Sequence, residues 1–240
     1  MTVTLITGAN KGLGFETARR LLAAGHTVYL GSRDLERGRD AAQRLGARAV
    51  QLDVTDDASV ASAVKEIEAA GGLDVLINNA GVQAEMLPNP DGPPKIIGAE
   101  ELTADIMRRT FETNVFGLVR VTGAFLPLLR RSAAPVVVNV SSGLASLSGV
   151  TDPDSLAYTY PGVAYPASKA AVNMVTVQYA KAFPAFRINA VEPGFTATDL
   201  NHHAGHQSVE QGAEIIVRMA LVGPDGPTGG YFDANGPLPW

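Results

Sequence analysis

The chain has 240 residues and a mass of 25.1 kDa, the size of one sizeable α/β domain able to bury roughly three-quarters of its unfolded surface. With 46% hydrophobic and 18% charged residues it is not disordered, collagen-like or coiled-coil, and a net charge of −5 with a pI near 5.4 offers no basic footprint for nucleic acid or an anionic membrane. No cysteine occurs, which removes disulfides, thiolate catalysis and Cys-ligated metal centres and fits a reducing cytoplasm.

Val3-Thr4-Leu5-Ile6 follows the start without a basic region or a small-residue cleavage site, so no signal peptide is expected. No run of about 18 apolar residues suggests a membrane span. Short β-branched runs then alternate with helical stretches, the pattern of βαβ units around a parallel sheet buried on both faces. The predicted strands are Val3 to Thr7, Thr27 to Ser32, Ala47 to Leu52 and Leu73 to Asn78; between them lie helices over Gly14 to Ala24, Asp34 to Leu45 and Asp56 to Ala70. Asp34 and Asp56 stand where N-caps belong, and Gly25, Gly46 and Gly71 where C-caps belong. Leu87 to Gly98, rich in proline, reads as a surface loop. A long helix over Leu102 to Leu129, a strand over Pro135 to Val140, a helix over Tyr165 to Phe183, a strand over Phe186 to Val191, a helix over Gln207 to Leu221 and a closing strand after Gly226 complete the chain. Without an internal repeat or a low-complexity linker, residues 1–240 form one domain: a doubly wound, mainly parallel sheet of about seven strands with helices on both faces, binding its ligands at the C-terminal strand ends.

Gly8-Ala9-Asn10-Lys11-Gly12-Leu13-Gly14 joins the first strand to the first helix. Glycines there permit a tight turn, close approach of a diphosphate to the backbone and packing of helix on strand, while the helix N-terminus favours an anion. The spacing is GxxxGxG rather than GxGxxG. In dinucleotide folds an acidic residue about 20 residues on holds the adenosine ribose 2′-hydroxyl; here the second strand ends in Ser32-Arg33. Two cations, Lys11 and Arg33, therefore favour a 2′-phosphate and hence NADP(H) over NAD(H). The alternative makes both cations ordinary surface charges and gives the ribose contact to Asp34, which also suits a helix cap.

Further motifs in order give a resemblance to the short-chain dehydrogenase/reductase family, running from about residue 3 to residue 236. Asp53-Val54 resembles its adenine contact and Asn78-Asn79-Ala80-Gly81 its NNAG motif. Asn114, Ser142, Tyr165 and Lys169 match its catalytic tetrad, and Pro193-Gly194 with Thr196 and Thr198 is similar to the loop that receives the nicotinamide carboxamide. Lys11, Arg33 and Leu52-Asp53-Val54-Thr55 look most like its NADPH-preferring carbonyl reductases. The resemblance implies a Rossmann fold, hydride transfer at nicotinamide C4, a Lys169 that also binds the nicotinamide ribose, and an Asn114 that holds a water relaying protons to Lys169. It also implies a substrate lid over residues 195–210.

The chemistry suits these residues. Reducing a carbonyl needs a proton donor within about 3 Å of its oxygen. A phenol with a pKa near 10 needs a fixed cation to serve near neutrality, and Lys169 lies one helical turn from Tyr165. Ser142, after the fifth strand of the sheet, can hydrogen-bond the substrate oxygen; Ser141 competes for that role, and the resemblance points to Ser142. Tyr158 and Tyr160, with no lysine four residues on, are expected to line or cover the site. Ser142 and Tyr165 stand 23 positions apart, more than in compact family members, so Thr151 to Gly162 is expected to reshape the substrate mouth or an association surface. His202 and His206 would share a helical face, but no carboxylate completes a metal signature and hydride transfer needs none, so lid polarity is the better reading of His202, His203 and His206.

The sequence thus describes a cytoplasmic NADP(H)-dependent oxidoreductase interconverting a carbonyl and an alcohol. Its partners are a small-molecule substrate, with homodimer, homotetramer and monomer all open, and neither nucleic acid nor membrane. The rival of another class is a non-catalytic NADP(H)-sensing protein of the same fold, against which the intact Tyr and Lys pair argues; a nicotinamide-reusing epimerase or dehydratase is a third reading.

Overall fold

In the computed structural model, which describes residues 2–240, seven parallel strands form one sheet in the order β3-β2-β1-β4-β7-β8-β9. They are β1 (Val3–Ile6), β2 (Thr27–Ser32), β3 (Arg48–Gln51), β4 (Val75–Asn78), β7 (Val136–Val140), β8 (Arg187–Val191) and β9 (Tyr231–Phe232). The helices are α1 (Gly12–Ala23), α2 (Leu35–Leu45), α3 (Asp57–Ala69), α4 (Ala104–Phe111), α5 (Leu118–Leu129), the short α6 (Leu147–Thr151), α7 (Ala164–Ala182) and α8 (Val209–Ala220). The predicted order of elements holds, with ends shifted by one or two residues in most cases.

Period-two alternation places successive strand residues in opposite layers. Leu5, Leu76, Val137 and Ile188 enter one core with residues of α3 and α5, whereas Ile6, Ile77, Val138 and Val191 enter the other with residues of α1 and α8. Because both faces are covered, the central strands read as continuous apolar runs. Asp34 caps α2, accepting from Arg37 N at 3.1 Å, and Asp56 caps α3, accepting from Ala58 N at 2.9 Å. Gly46 ends α2 in the left-handed region at φ 72°.

Two features depart from the simple alternation. The proline-rich stretch read as loop contains a small antiparallel hairpin, β5 (Met86–Leu87) with β6 (Lys95–Ile96), whose pairing lies at its ends while the prolines fill the turn. The predicted long helix is continuous but widens into a π turn at Glu112–Gly117. There Gly117 packs on Val54; a Cβ would stand 2.7 Å from Val54 Cγ2, so only glycine allows this approach. Among the described residues no helix is long and apolar enough to cross a membrane.

The order in which strands are added to the sheet reverses between β1 and β4, so the loops after these two parallel strands part and leave a crevice at the C-terminal edge of the sheet.

Candidate active site

That crevice is a cleft of about 1180 Å³. Its floor at the β1/β4 switch point is backbone. Gly8 takes φ 64° and Gly12 φ 57°, and at Gly14 a Cβ would meet Asn79 Nδ2 at 2.6 Å and Ala9 Cα at 2.8 Å. Asn79 fastens the two loops together by donating to Thr7 O at 2.8 Å and Gly8 O at 3.1 Å. Lys11, the N-cap of α1, gives no side-chain cap to the first turn, whose amides are left for an anion. Gly8, Asn10, Lys11, Gly12, Leu13, Arg33, Asp53, Val54, Asn79, Ala80 and Gly81 all line the cleft. This backbone cradle fits the dinucleotide expected from the sequence.

Two residues of the predicted set lie beneath the surface instead. Gly14 packs internally, and Ser32 is buried with its hydroxyl donating to Asp34 O at 2.7 Å. Asp34 is engaged as the α2 cap and pairs with Arg37 at 3.2 Å, which leaves Arg33 as the charged residue facing the cleft after β2. Lys11 is ion-paired with Asp199, and Asp199 also meets His203 Nε2 at 2.9 Å. The Lys11 ammonium, hydrogen-bonded to Asp199, holds that carboxyl below its ordinary value.

At the other end, β7 delivers Ser142 and α7 delivers Tyr165 and Lys169. All three line the cleft. Ser141 is not equivalent to Ser142: its buried hydroxyl donates to Asn173 Oδ1 at 2.6 Å. Burial, together with the Glu192 and Glu85 carboxylates, pushes the Tyr165 phenol above its ordinary value, and the adjacent Ser142 hydroxyl pulls the other way. Lys169, only 4% exposed, donates to Val140 O at 2.7 Å and lies 5.6 Å from the centre of the Tyr165 ring. Burial lowers its ammonium to about 8.

Asn114, in the π turn, stands behind this trio. Its Oδ1 accepts from Val82 N at 2.8 Å, and its Nδ2 donates to Val82 O at 2.9 Å and Ser168 Oγ at 3.0 Å. A Cβ on Gly81 would lie 3.5 Å from Asn114 Oδ1 and 3.7 Å from Lys169 Nζ, so both side chains border the space over that glycine.

Pro193, Gly194, Thr196 and Thr198 line the cleft from the β8 side. Residues 195–210 fold back on themselves through a Thr196–Gln207 bridge, and Thr198 and Asn201 form a capping box. His202 and His203 adopt φ 51° and 61°, so the helix that would align His202 with His206 does not form, and His206 instead packs edge-on against Phe195. In the Thr151 to Gly162 segment, Leu156, Ala157, Thr159, Tyr160 and Pro161 line the cleft, while Tyr158 is exposed.

The sequence reading missed three groups near Tyr165. Glu192 accepts from Gly194 N at 2.9 Å, and burial pushes its carboxyl up. Tyr231 donates to Ser142 O at 2.5 Å, fixing the backbone of that serine. Glu85 accepts from the start of α7. Only Glu192, beside Pro193-Gly194, stood next to a recognised motif.

The family model for short chain dehydrogenases matches residues 2–208. The chain is 35% identical to (-)-isopiperitenone reductase of Mentha piperita, covering 95% of each chain. It is 32% identical to (+)-neomenthol dehydrogenase of Capsicum annuum, covering 95% of this chain and 94% of that one. Among solved structures, salutaridine reductase from Papaver somniferum superposes with a TM-score of 0.84 at 30% identity, covering 97% of this chain and 99% of that one.

Proposed function

The chain belongs to the short-chain dehydrogenase family, and from that premise we propose that it is an NADP(H)-dependent oxidoreductase that interconverts a ketone or aldehyde and the corresponding alcohol. The convergence of Tyr165, Ser142 and Lys169 at one end of a cleft whose other end is a glycine-lined dinucleotide cradle carries this reading.

When bound, the nicotinamide supplies a hydride to the substrate carbon or accepts one from it. The remaining chemistry falls to this chain's own side chains. Tyr165 gives its phenolic proton to the developing alkoxide and takes it back in the reverse reaction. Ser142, its backbone held by Tyr231, donates to the same oxygen and keeps the carbonyl in line. Lys169, protonated at neutral pH despite its lowered pKa, favours phenolate over phenol on Tyr165. Asn114 and Lys169 border a path over Gly81 by which the proton on Tyr165 is replenished. Arg33 grips the adenosine 2′-phosphate and determines the choice of NADP(H), with Lys11 joining it on release from Asp199. Residues 195–210 act as the substrate lid, and the Lys11–Asp199 pair fastens that lid to the glycine turn.

The substrate in this reading is uncharged and largely apolar. Met86, Ile96, Leu144, Leu156 and Phe195 line the cleft, and apart from Lys169 its Lys and Arg residues among those described, Lys11 and Arg33, belong to the dinucleotide end. The names of the Mentha and Capsicum relatives point to substrates of that kind.

Purified protein mixed with NADPH and a panel of apolar ketones, aldehydes and quinones tests the proposal by loss of NADPH absorbance. Turnover that disappears in Tyr165→Phe supports it; absence of turnover across the panel, or undiminished turnover in Tyr165→Phe, overturns it.

A further inference from the structure

Helix α7 carries both Tyr165 and Lys169, yet it begins at Ala164 with no side-chain cap from its own N-cap residue, Val163. The amides of its first turn should then be unsatisfied in a dry site. They are satisfied from 78 to 80 residues away. Glu85, fully buried, accepts from Val163 N at 3.1 Å and Ala164 N at 2.6 Å through Oε2, and from Tyr165 N at 3.1 Å through Oε1. Oε1 also accepts from the Tyr160 hydroxyl at 2.8 Å. That hydroxyl accepts in turn from Gln83 Nε2 at 2.5 Å.

The surroundings are shaped around this carboxylate. Gly162 passes so close that a Cβ there would overlap Glu85 Oε1 and come 2.5 Å from Tyr160 Cε1. The backbone of Glu85 is itself held, since Ile97 N donates to its carbonyl at 2.8 Å beside the β5–β6 pairing, and Gly98 bridges to Gly162. A negative group at a helix N-terminus is also favoured by the helix dipole. Two stretches distant in sequence therefore meet on one side chain: the loop after β4, and the Thr151 to Gly162 segment where it runs into the start of α7.

We propose that Glu85 is a positioning residue for Tyr165: it caps the helix that presents the phenol and fastens the Tyr160 wall of the substrate cleft to that same helix end. The proposal deepens the oxidoreductase reading and rests on it for the role of Tyr165. Because the Tyr160 hydroxyl is taken up by Glu85 and Gln83, Tyr160 offers substrate its ring rather than its hydroxyl. The charged and titratable groups facing the Tyr165 phenol are Glu85 from the loop after β4, Glu192 from the loop after β8, Lys169 from α7, and Tyr160 and Tyr231 nearby. Of these, Glu85 both touches the backbone of Tyr165 and opposes ionisation of its ring.

Three variants test the proposal. Glu85→Gln keeps the shape but turns an amide donor toward N–H donors. It is expected to lower kcat about ten- to hundredfold while leaving NADPH binding, followed by nicotinamide fluorescence, unchanged. With one carboxylate removed, the rising limb of the pH profile for alcohol oxidation, set by ionisation of Tyr165, is expected to move to lower pH. Glu85→Asp keeps the charge but cannot reach every donor, so kcat falls while the limb stays in place. Tyr160→Phe leaves both the cap and its charge, and raises KM for the carbonyl more than it changes kcat.

Tyrosinate absorbance of the NADP-loaded protein, with the matching Tyr165→Phe protein subtracted, reads the same ionisation without turnover; Glu85→Gln should move it to lower pH. That arm separates the two proposals, because the shift can appear in a protein that reduces nothing. A folded Glu85→Gln protein with kcat within twofold of the parent, or with an unmoved Tyr165 ionisation, overturns the assignment. If Glu85→Gln does not fold, Glu85→Asp decides: an unchanged kcat overturns it and a reduced kcat with an unmoved limb supports it.

Discussion

The two ends of the cleft solve opposite electrostatic problems. At the end lined by the glycine turn the polar groups are backbone amides and solvated charges: Arg33 is exposed, and the side chains of Lys11 and Asp199 are 58% and 51% exposed. At the Tyr165 end Lys169, Tyr165 and Glu85 are buried and Glu192 is half-buried, and burial moves the ionisation of Lys169, Tyr165 and Glu192 away from ordinary values. Charges in water are screened and interchangeable, whereas dry charges depend on every neighbour. The wet end should therefore bear substitution in small steps, and the dry end should fail abruptly.

The sharpest way to break the dry end is Tyr165→Phe. Removing the proton donor should reduce turnover about 10²- to 10⁴-fold while the fluorescence of bound NADPH is retained. Equal loss of binding and turnover would place Tyr165 among the cofactor contacts rather than the reacting groups.

Lys169→Met separates the cost of a dry charge from its use. Burial lowers the lysine from an ordinary 10.5 to about 8, so holding it charged at pH 7 costs up to about 3 kcal/mol of stability. The cost is fully present below pH 8 and fades as pH rises toward 10.5, where the unfolded chain also loses the proton. The variant should lose activity yet unfold at higher denaturant concentration at pH 7, with the advantage gone near pH 10.5. A variant less stable than the parent at pH 7 would mean that the hydrogen bond to Val140 O outweighs burial.

Substitutions at the wet end should act more gently. Arg33→Ala should raise KM for NADPH about ten- to hundredfold and leave that for NADH nearly unchanged, the effect of losing charge-assisted hydrogen bonds to one phosphate. An unchanged NADPH to NADH preference would remove Arg33 from the phosphate site. The smallest effect belongs to Asp199→Asn. Freeing Lys11 from an exposed pair should tighten NADPH binding about fivefold at most, and the gain should vanish in high salt.

The same contrast explains what the sequence made legible. The glycine turn, the strand–helix alternation and the Asp caps at Asp34 and Asp56 depend on residues within a few positions of one another, and all are visible as local patterns. Tyr165 and Lys169 share a helical turn, so their pairing was equally readable. Glu85 was not: one carboxylate in a short stretch before the prolines carries no periodicity, and its meaning lies in amides about 80 positions later. The ion pair of Lys11 likewise depends on a partner 188 positions away. At the histidines after Thr198 the spacing would have put His202 and His206 on one helical face, and the backbone turns left-handed at His202 and His203 instead.

The π turn at Glu112–Gly117 gives the molecule an uneven tolerance to changes in length. A π turn holds one residue more than the α-helix it interrupts, so deleting one residue there would let an ordinary α-helix run through with the flanking helices close to their present faces. A deletion inside α5 would instead rotate everything beyond it by about 100°. In the first case the contacts of Gly117 with Val54 and of Asn114 with Val82 would shift locally while the apolar stripe of α5 stayed on the core; in the second the rest of that stripe would turn out of it. The proline-rich turn between β5 and β6, upstream of α4, could lose or gain a residue with none of these consequences. Single-residue deletions scanned across positions 88–129 should thus survive in the proline-rich turn and fail inside α5, with the wide turn between the two in tolerance.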